Sequence, residues 1–329
     1  MFKQKLYKNI LLALLLSQAI GLTIAQPNST ATYPNKPIRI INPLAPGGAV
    51  DAIARLLAPS LQEILGQPIV IENKSGAGGT IGSNFVAKSP ADGYTILMVY
   101  DTFAVNPHIY KNLPFDSFKD LTPVMEIVSI PLILVAGTKL PANNLKELTE
   151  LAKSRPNGIN FSSGGAGSSG HLAAELLKNN LGINMTHIPY KGGGPALTAT
   201  IAGETDITIL GAVITIPQIK SGNLKGLAIL GKKRTPALPQ LPTASEQGLL
   251  NFDVSSWIGV LVPSGTPQPI VDKIHGAFAQ ALKNPTIQAR MAEQGNEIVA
   301  STPAQFASFL NQESAKWAKV IKDNNIQAE

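Results

Sequence analysis

Three glycine-rich turns stand where the chain could hold a negatively charged group. They occupy residues 43–51, 76–79 and 164–170, and each one follows an apolar, strand-like run and precedes a helical pattern. A turn of this kind presents free backbone N–H groups and the positive end of a helix to an anion. Because such turns occur in both halves of the chain, we expect a cleft that holds an anionic ligand.

The third turn contains a literal G-x-G-x-x-G pattern, from Gly165 to Gly170, of the kind found at dinucleotide sites. A dinucleotide site also needs an acidic residue near the end of the following strand, and residues 185–187 contain none. The pattern instead favours an anion-binding turn built from backbone N–H groups and the hydroxyls of Ser168 and Ser169. The alternative is a tight strand-to-helix connection without a ligand.

The first two turns carry weaker signals. Gly47 and Gly48 lead into a predicted helix whose first turn contains Asp51. Asp51 is either a favourable charge at the helix start or a group that orders loop amides and waters facing a ligand. The second turn has Ile81 where a dinucleotide pattern needs glycine, so it is equally explained by a close approach of the backbone.

A fourth loop follows the predicted strand at 185–188 and contains Tyr190, Lys191 and Gly192. We expect this loop to lie on the same rim as the third turn, because both follow the carboxyl ends of strands. Tyr190 suits a loop anchor, and Lys191 is expected to be solvated.

No catalytic or metal-binding pattern accompanies these turns. The four histidines lack metal-site spacing, and the chain has no cysteine, no G-x-S-x-G elbow and no Walker A lysine. The sequence therefore predicts a binding protein without catalysis, cofactor or metal.

Residues 1–25 have the composition of an export signal. Lys3, Lys5 and Lys8 precede an apolar run, and the small residues ending at Ala25 suit cleavage before Gln26. We therefore expect a periplasmic protein, and the missing cysteine excludes a lipid-anchored form. Loss of the three lysines lowers the formal net charge from +6 to +3, which is too mild to indicate a nucleic-acid partner.

Strand and helix patterns alternate through the remaining chain of about 300 residues, a length typical of two domains. Alternation of this kind implies parallel sheets with helices on their faces. Two β-rich runs, at 124–135 and 254–262, are suited to crossing between domains. We predict an α/β fold of two lobes, with residues 34–130 and 255–329 in lobe 1 and residues 131–254 in lobe 2.

Ten short motifs, in order along the chain, resemble those of the Bug-type family, the periplasmic solute receptors of tripartite tricarboxylate transporters. They run from about residue 33 to the C-terminus. They include Tyr33-Pro34-x-Lys36-Pro37, Pro46-Gly47-Gly48-x-x-Asp51, Gly76-Ala77-Gly78-Gly79, Ala91-Asp92-Gly93-Tyr94, Asn106-Pro107, Gly167-Ser168-x-x-His171-Leu172, Pro189-Tyr190-Lys191-Gly192, Arg234-x-Pro236-Ala237-Leu238-Pro239 and Pro263-x-Gly265-Thr266-Pro267.

The resemblance implies a two-lobed, type II-like periplasmic binding protein, a monomer that closes on a small organic acid and delivers it to a membrane permease. In this family a carboxylate is held largely by loop backbone groups and ordered waters. Carried onto this chain, the ligand-binding residues are Ala45, Gly47, Gly48, Asp51, Asp101, Thr102, Gly164, Gly167, Ser168, Ser169, Tyr190 and Gly192.

Two departures from the family pattern bear on the ligand. Gly211-Ala212 stands where many relatives carry Asp-Asn, and Asp101 stands where relatives often have Gly, Ser or Asn. These differences weaken the expected preference for a di- or tricarboxylate and favour a more apolar, aromatic or single-headed acid. Two other functions stay open, namely a sensor that presents its ligand to a signalling protein and an exported hydrolase or transferase.

Overall fold

A computed structural model describes residues 33–250 and 252–327. The export signal predicted for residues 1–25 lies outside these described residues.

The first lobe is built around three parallel strands in the order β2-β1-β3. Its helices follow the strands, as the alternating pattern predicts, and the second glycine turn forms a short 3-10 helix at Ala77–Gly79. The elements are β1 (Ile38–Asn42), α1 (Ala49–Leu65), β2 (Ile69–Asn73), α2 (Thr80–Ala87), β3 (Thr95–Tyr100) and α3 (Thr102–Ile109).

The second lobe repeats this architecture around parallel strands β6, β5 and β7. Its elements are α4 (Leu145–Ser154), β5 (Ile159–Ser163), α5 (Ser169–Leu181), β6 (Met185–Pro189), α6 (Gly193–Ala202), β7 (Ile207–Gly211), α7 (Ala212–Lys220) and β8 (Leu224–Ile229). The strands agree with the sequence pattern to within a few residues, because alternation of buried strands and amphipathic helices is a strong signal.

Two long antiparallel strands join the lobes. They are β4 (Leu121–Gly137) and β9 (Ser255–Pro263), which correspond to the two predicted crossover runs. The first part of β4 pairs with β9, ending at Pro131, and the next residue, Leu132, begins the pairing with β7. Proline has no N–H to donate, so its position where β4 exchanges partners costs the sheet little.

The chain then returns to the first lobe through α8 (Gln268–Ala281), α9 (Pro285–Glu293), β10 (Glu297–Ile298) and α10 (Pro303–Asp323). Strand β10 pairs with β4. Helix α10 begins with a capping box, in which Thr302 and Gln305 satisfy each other's backbone N–H groups.

Helix α10 packs into the cores of both lobes. Its first half places Phe306 and Leu310 in the core of the first lobe, beside Trp257 of β9. Its second half places Trp317 and Val320 in the core of the second lobe, with the helix α5 side chains. The chain therefore connects the lobes by two strands and also spans them with a helix.

We predict that Gly259→Ala destabilises the protein by about 1–3 kcal/mol, because an added methyl group would overlap the Phe306 ring. The free energy of unfolding in urea measures this loss. Gly276→Ala is the matched control, since this exposed glycine of α8 has open space around it and alanine favours a helix by up to about 1 kcal/mol. Equal stability of the two variants would contradict the packing of β9 against α10.

Candidate ligand-binding cleft

The sheet brings the carboxyl ends of both sets of parallel strands towards the middle of β4. Tyr100, the last residue of β3, pairs with Ile258 of β9, which pairs with Val128 of β4. Gly211, the last residue of β7, pairs with Leu132. Four residues of an extended strand cover about 13 Å, so the loops that follow the strands of the two lobes face each other across a short distance. In open α/β sheets, ligands bind in the crevice outside such strand ends.

The first glycine turn lies exposed at the start of α1. Ala45, Gly47 and Gly48 are all on the surface, and no side chain caps this helix. Gly47 has a φ of 80°, a left-handed conformation that favours glycine. The first N–H groups of α1 are therefore open to an anion approaching over Gly48.

Asp51 fixes the conformation of this turn through hydrogen bonds. Its buried carboxylate accepts hydrogen bonds from the Gly47 N–H at 3.0 Å, from Arg55 Nε at 2.9 Å and from Asn73 Nδ2 at 3.1 Å. These partners, with Arg55 foremost, lower the pKa of Asp51 to about 2 against the opposing effect of burial. All three belong to the first lobe, so Asp51 is placed to order the loop amides, the second of its two predicted roles.

The second glycine turn is packed beneath α3. Asn106 Nδ2 donates to the Gly78 carbonyl at 3.0 Å, and a methyl group at Gly78 would lie 3.1 Å from the Asn106 amide and the Tyr110 hydroxyl. Gly78 also has a φ of 61°. Close packing therefore accounts for this glycine without a ligand.

Asp101 stands at the junction of β3 and α3 and is 3% exposed. Neither of its carboxylate oxygens forms a hydrogen bond of ordinary geometry. Burial raises the pKa of Asp101 to about 7, in spite of the nearby hydroxyls of Ser256 and Ser169, which lower it, and Glu313 raises it further. Thr102, the next residue, is half-buried and begins α3.

The polar groups of the third turn mostly have partners inside the second lobe. The Gly167 N–H donates to His171 Nδ1 at 3.1 Å, and the Ser168 hydroxyl donates to the Gly165 carbonyl at 2.8 Å. The Ser169 hydroxyl accepts from Ser256 at 3.1 Å. An anion at this turn would therefore compete with existing hydrogen bonds, and contact of these residues with a ligand stays a prediction.

Packing also explains the G-x-G-x-x-G pattern of the third turn. Gly165 and Gly167 have φ values of 117° and 72°, and Gly170 lets α5 pack directly on β7, since a methyl group there would overlap the Ile209 carbonyl. A methyl group at Gly167 would overlap the side chain of Ile109 in α3. The turn therefore touches the first lobe, and Gly164 packs on the start of α6.

A stack of three aromatic rings supports this turn, and no spacing pattern in the sequence predicts it. His171 lies on His187 with ring centroids 3.8 Å apart, and His187 lies on Phe161 at 4.9 Å. Burial lowers the pKa of each histidine to about 4, so both rings are neutral near pH 7. His187 Nε2 is 2.6 Å from the Ser163 hydroxyl. The stack holds the end of β5 and the start of α5 together.

The loop with Tyr190 and Gly192 lies beside the third turn, as predicted for two loops on one rim. The Tyr190 N–H donates to the Ser163 carbonyl at 2.9 Å, and the Tyr190 hydroxyl donates to the Glu204 carboxylate at 3.2 Å. Gly192 has a φ of 110° and precedes α6 without a capping side chain. Tyr190 therefore anchors this loop.

A cavity of about 420 Å³ lies next to the two crossing strands, and none of the twelve predicted ligand residues lines it. Sequence periodicity gives no signal for such a space, because its walls come from segments far apart in the chain. They include Glu126, Trp257, Asn296, Glu313 and Lys316.

Within the described residues, no cluster of three or more histidine, aspartate or glutamate side chains could hold a metal ion. No helix between residues 33 and 327, Asn251 apart, is long and apolar enough to cross a bilayer.

Comparison with known proteins gives consistent matches over nearly the whole chain. Residues 53–326 match the family model described as the tripartite tricarboxylate transporter family receptor. Protein BugT of Bordetella pertussis is 38% identical over 306 residues, which cover 92% of this chain and 94% of that protein.

Solved structures of similar proteins share the fold. The periplasmic binding protein BugD is 36% identical, with a TM-score of 0.79 over 90% of this chain and all of that one. Rpa4515 of R. palustris with adipate is 33% identical, with a TM-score of 0.82 over 91% of this chain and all of that one. MatC of Rhodopseudomonas palustris with bound malate is 32% identical, with a TM-score of 0.76 over 88% of this chain and all of that one.

We predict that Asp51→Asn is less stable than the wild type at about pH 5, and that this difference in the free energy of unfolding shrinks as the pH falls to about 2. The pKa of Asp51 is lower in the folded protein than in the unfolded chain, so the charged carboxylate stabilises the fold at pH values above the unfolded-state pKa. This contribution disappears as the pH falls through the folded-state pKa of about 2. Urea unfolding across this pH range measures it. Arg55→Gln is the matched control, because it keeps the carboxylate but removes its strongest partner and moves the loss to higher pH. A constant difference between Asp51→Asn and the wild type would contradict the role of the Asp51 charge.

Proposed function

This chain belongs to the tripartite tricarboxylate transporter receptor family, and on that premise we propose that it captures a small carboxylate between its lobes and delivers it to a membrane permease. The observation that carries the proposal is the meeting of strand ends from both lobes over the middle of β4, with the uncapped start of α1 exposed at Gly48. Backbone N–H groups at a helix start suit a carboxylate. Structures of relatives that hold adipate and malate support this ligand class.

We assign the first lobe to residues 34–130 and 255–329 and the second lobe to residues 131–254, as the sequence predicts. The core contacts of α10 qualify this division, since Trp317 and Val320 pack with the second lobe. Export to the periplasm, cleavage before Gln26 and action as a monomer complete the proposal. The receptor works without catalysis, which suits a family of receptors, and a sensor role would use the same capture of a ligand.

Among the predicted ligand residues, Gly48 gives the clearest test. Its φ of −77° suits any residue, and an added methyl group would meet only the Ala45 carbonyl, at an ordinary 3.5 Å. Gly167 is less suitable, because its side chain would overlap Ile109. A substitution there disturbs the contact between the lobes, whatever its effect on a ligand.

We predict that at least one of four acids, namely malate, adipate, citrate and benzoate, raises the melting temperature of the protein. At 100 times its dissociation constant, an acid adds about 2.7 kcal/mol to the free energy of unfolding. Differential scanning fluorimetry measures the shift, with the matching alcohols as controls for non-specific effects. Recovery of a chemically altered acid would instead indicate an enzyme.

We predict that Gly48→Val weakens binding of the responding acid at least tenfold while lowering apo stability by only about 1 kcal/mol, because valine is a poor N-cap residue. The valine side chain would cover the N–H groups at the start of α1. Titration calorimetry measures the affinity, and Gly276→Ala is the control remote from the cleft. Unchanged affinity in Gly48→Val would remove the start of α1 from the site.

A further inference from the structure

Asp101 is a buried acid without an ion-pair partner at the place where the lobes touch. Its side chain is buried from solvent, and neither carboxylate oxygen forms a hydrogen bond of ordinary geometry, although the hydroxyls of Ser256 and Ser169 lie near enough to lower its pKa. A buried carboxylate without a hydrogen bond or a counter-ion is costly in its charged form. A structural acid is ordinarily paired with a cation, as Asp51 is with Arg55, so a buried Asp101 without a cation calls for a role.

The groups around Asp101 come from several elements. Ser169 begins α5 in the second lobe, and Ser256 lies in the crossing strand β9. Their hydroxyls hydrogen-bond to each other at 3.1 Å next to the carboxyl group. Each can rotate to donate or accept, so the pair accommodates either form of Asp101.

None of the titratable groups described around Asp101 supplies a positive charge that would offset a charged Asp101 carboxylate. Glu313 of α10 raises its pKa, and burial together with Asp101 itself raises the pKa of Tyr100, which therefore stays neutral. His108, on the helix that follows Asp101, contacts Ser314 of α10 at 2.7 Å, and burial lowers the pKa of this imidazole. Lys316 forms its ion pair with Glu313.

We propose that Asp101 couples ligand capture to proton uptake, so that the receptor takes up one proton as it closes on its carboxylate. Ser169 belongs to the second lobe, and its approach to Ser256 seals Asp101 from water. When the lobes separate, Ser169 withdraws and water can hydrate the carboxylate. Closure removes that water and brings a second negative charge, that of the ligand, into the same junction.

The sign of this coupling follows from the two states. Solvated aspartate has a pKa of 3.8, whereas burial raises the pKa of Asp101 to about 7 in the form in which Ser169 contacts Ser256, which we take as the closed form. Between these values the open form is ionised and the closed form is protonated. Binding therefore strengthens as the pH falls through about 7, and it becomes independent of pH above about 8.

This inference rests on the proposed carboxylate function, and calorimetry tests the two separately. Benzoate, adipate and malate are titrated into the full mature chain at about pH 6 in buffers of different ionisation enthalpy. We expect the binding enthalpy to vary with the buffer in proportion to uptake of nearly one proton. We also expect binding to be roughly tenfold tighter at about pH 6 than at about pH 8.

Asp101→Asn keeps the shape of the side chain but cannot titrate, so its binding enthalpy should not depend on the buffer. The ratio of wild-type to variant affinity cancels the ionisation of the added acid. Glu63→Gln, an exposed change on α1, should keep the proton uptake. If the wild type binds an acid with the same enthalpy in every buffer, the coupling is overturned. This outcome does not depend on whether Asp101→Asn folds. Absence of binding by all three acids instead contradicts the carboxylate function.

Discussion

The exchange of hydrogen-bond partners along β4 is the constraint on which the rest of the structure depends. Within one strand, pairing passes from β9 at Pro131 to β7 at Leu132. The strands of the first lobe reach this point from one side and those of the second lobe from the other. Since loops follow the carboxyl ends of parallel strands, this change of partner directs the glycine-rich turns of both lobes towards the middle of β4.

The regular elements could be predicted from the sequence because their signals are local. Strand β1 and helix α1 show the periodicity of buried strand and amphipathic helix, and the Thr302–Gln305 spacing marks the start of α10. The sequence pattern does not predict helix α3, because Pro107 lies inside it and its apolar residues form no single stripe. This helix packs on several sides, against the glycine turn at Gly78, the turn at Gly167 and helix α10.

The site itself was less predictable than the fold. The sequence identified Asp101 as a departure from relatives, but its isolation depends on Ser169 and Ser256, which are distant in the chain. The stack of His171 and His187 likewise depends on the meeting of helix α5 with strand β6 and leaves no spacing signal. Side chains such as Asp51 and Tyr190 position the loops, and the exposed backbone of the first turn is the part that we propose binds the ligand. A glycine pattern alone could not separate these two uses of a turn.

Helix α10 limits how the lobes can move. Leu310 is fixed in the first core and Trp317 in the second, so relative motion of the lobes must be taken up between them, by a small shift of the helix or by sliding of its packed side chains. That interval contains Glu313, which acts on Asp101, and Ser314, which contacts His108 of α3. The part of α10 between the two cores therefore carries the charge that acts on the buried acid. In the proposed coupling, the change of charge at Asp101 and the change of lobe spacing both act on this short part of α10.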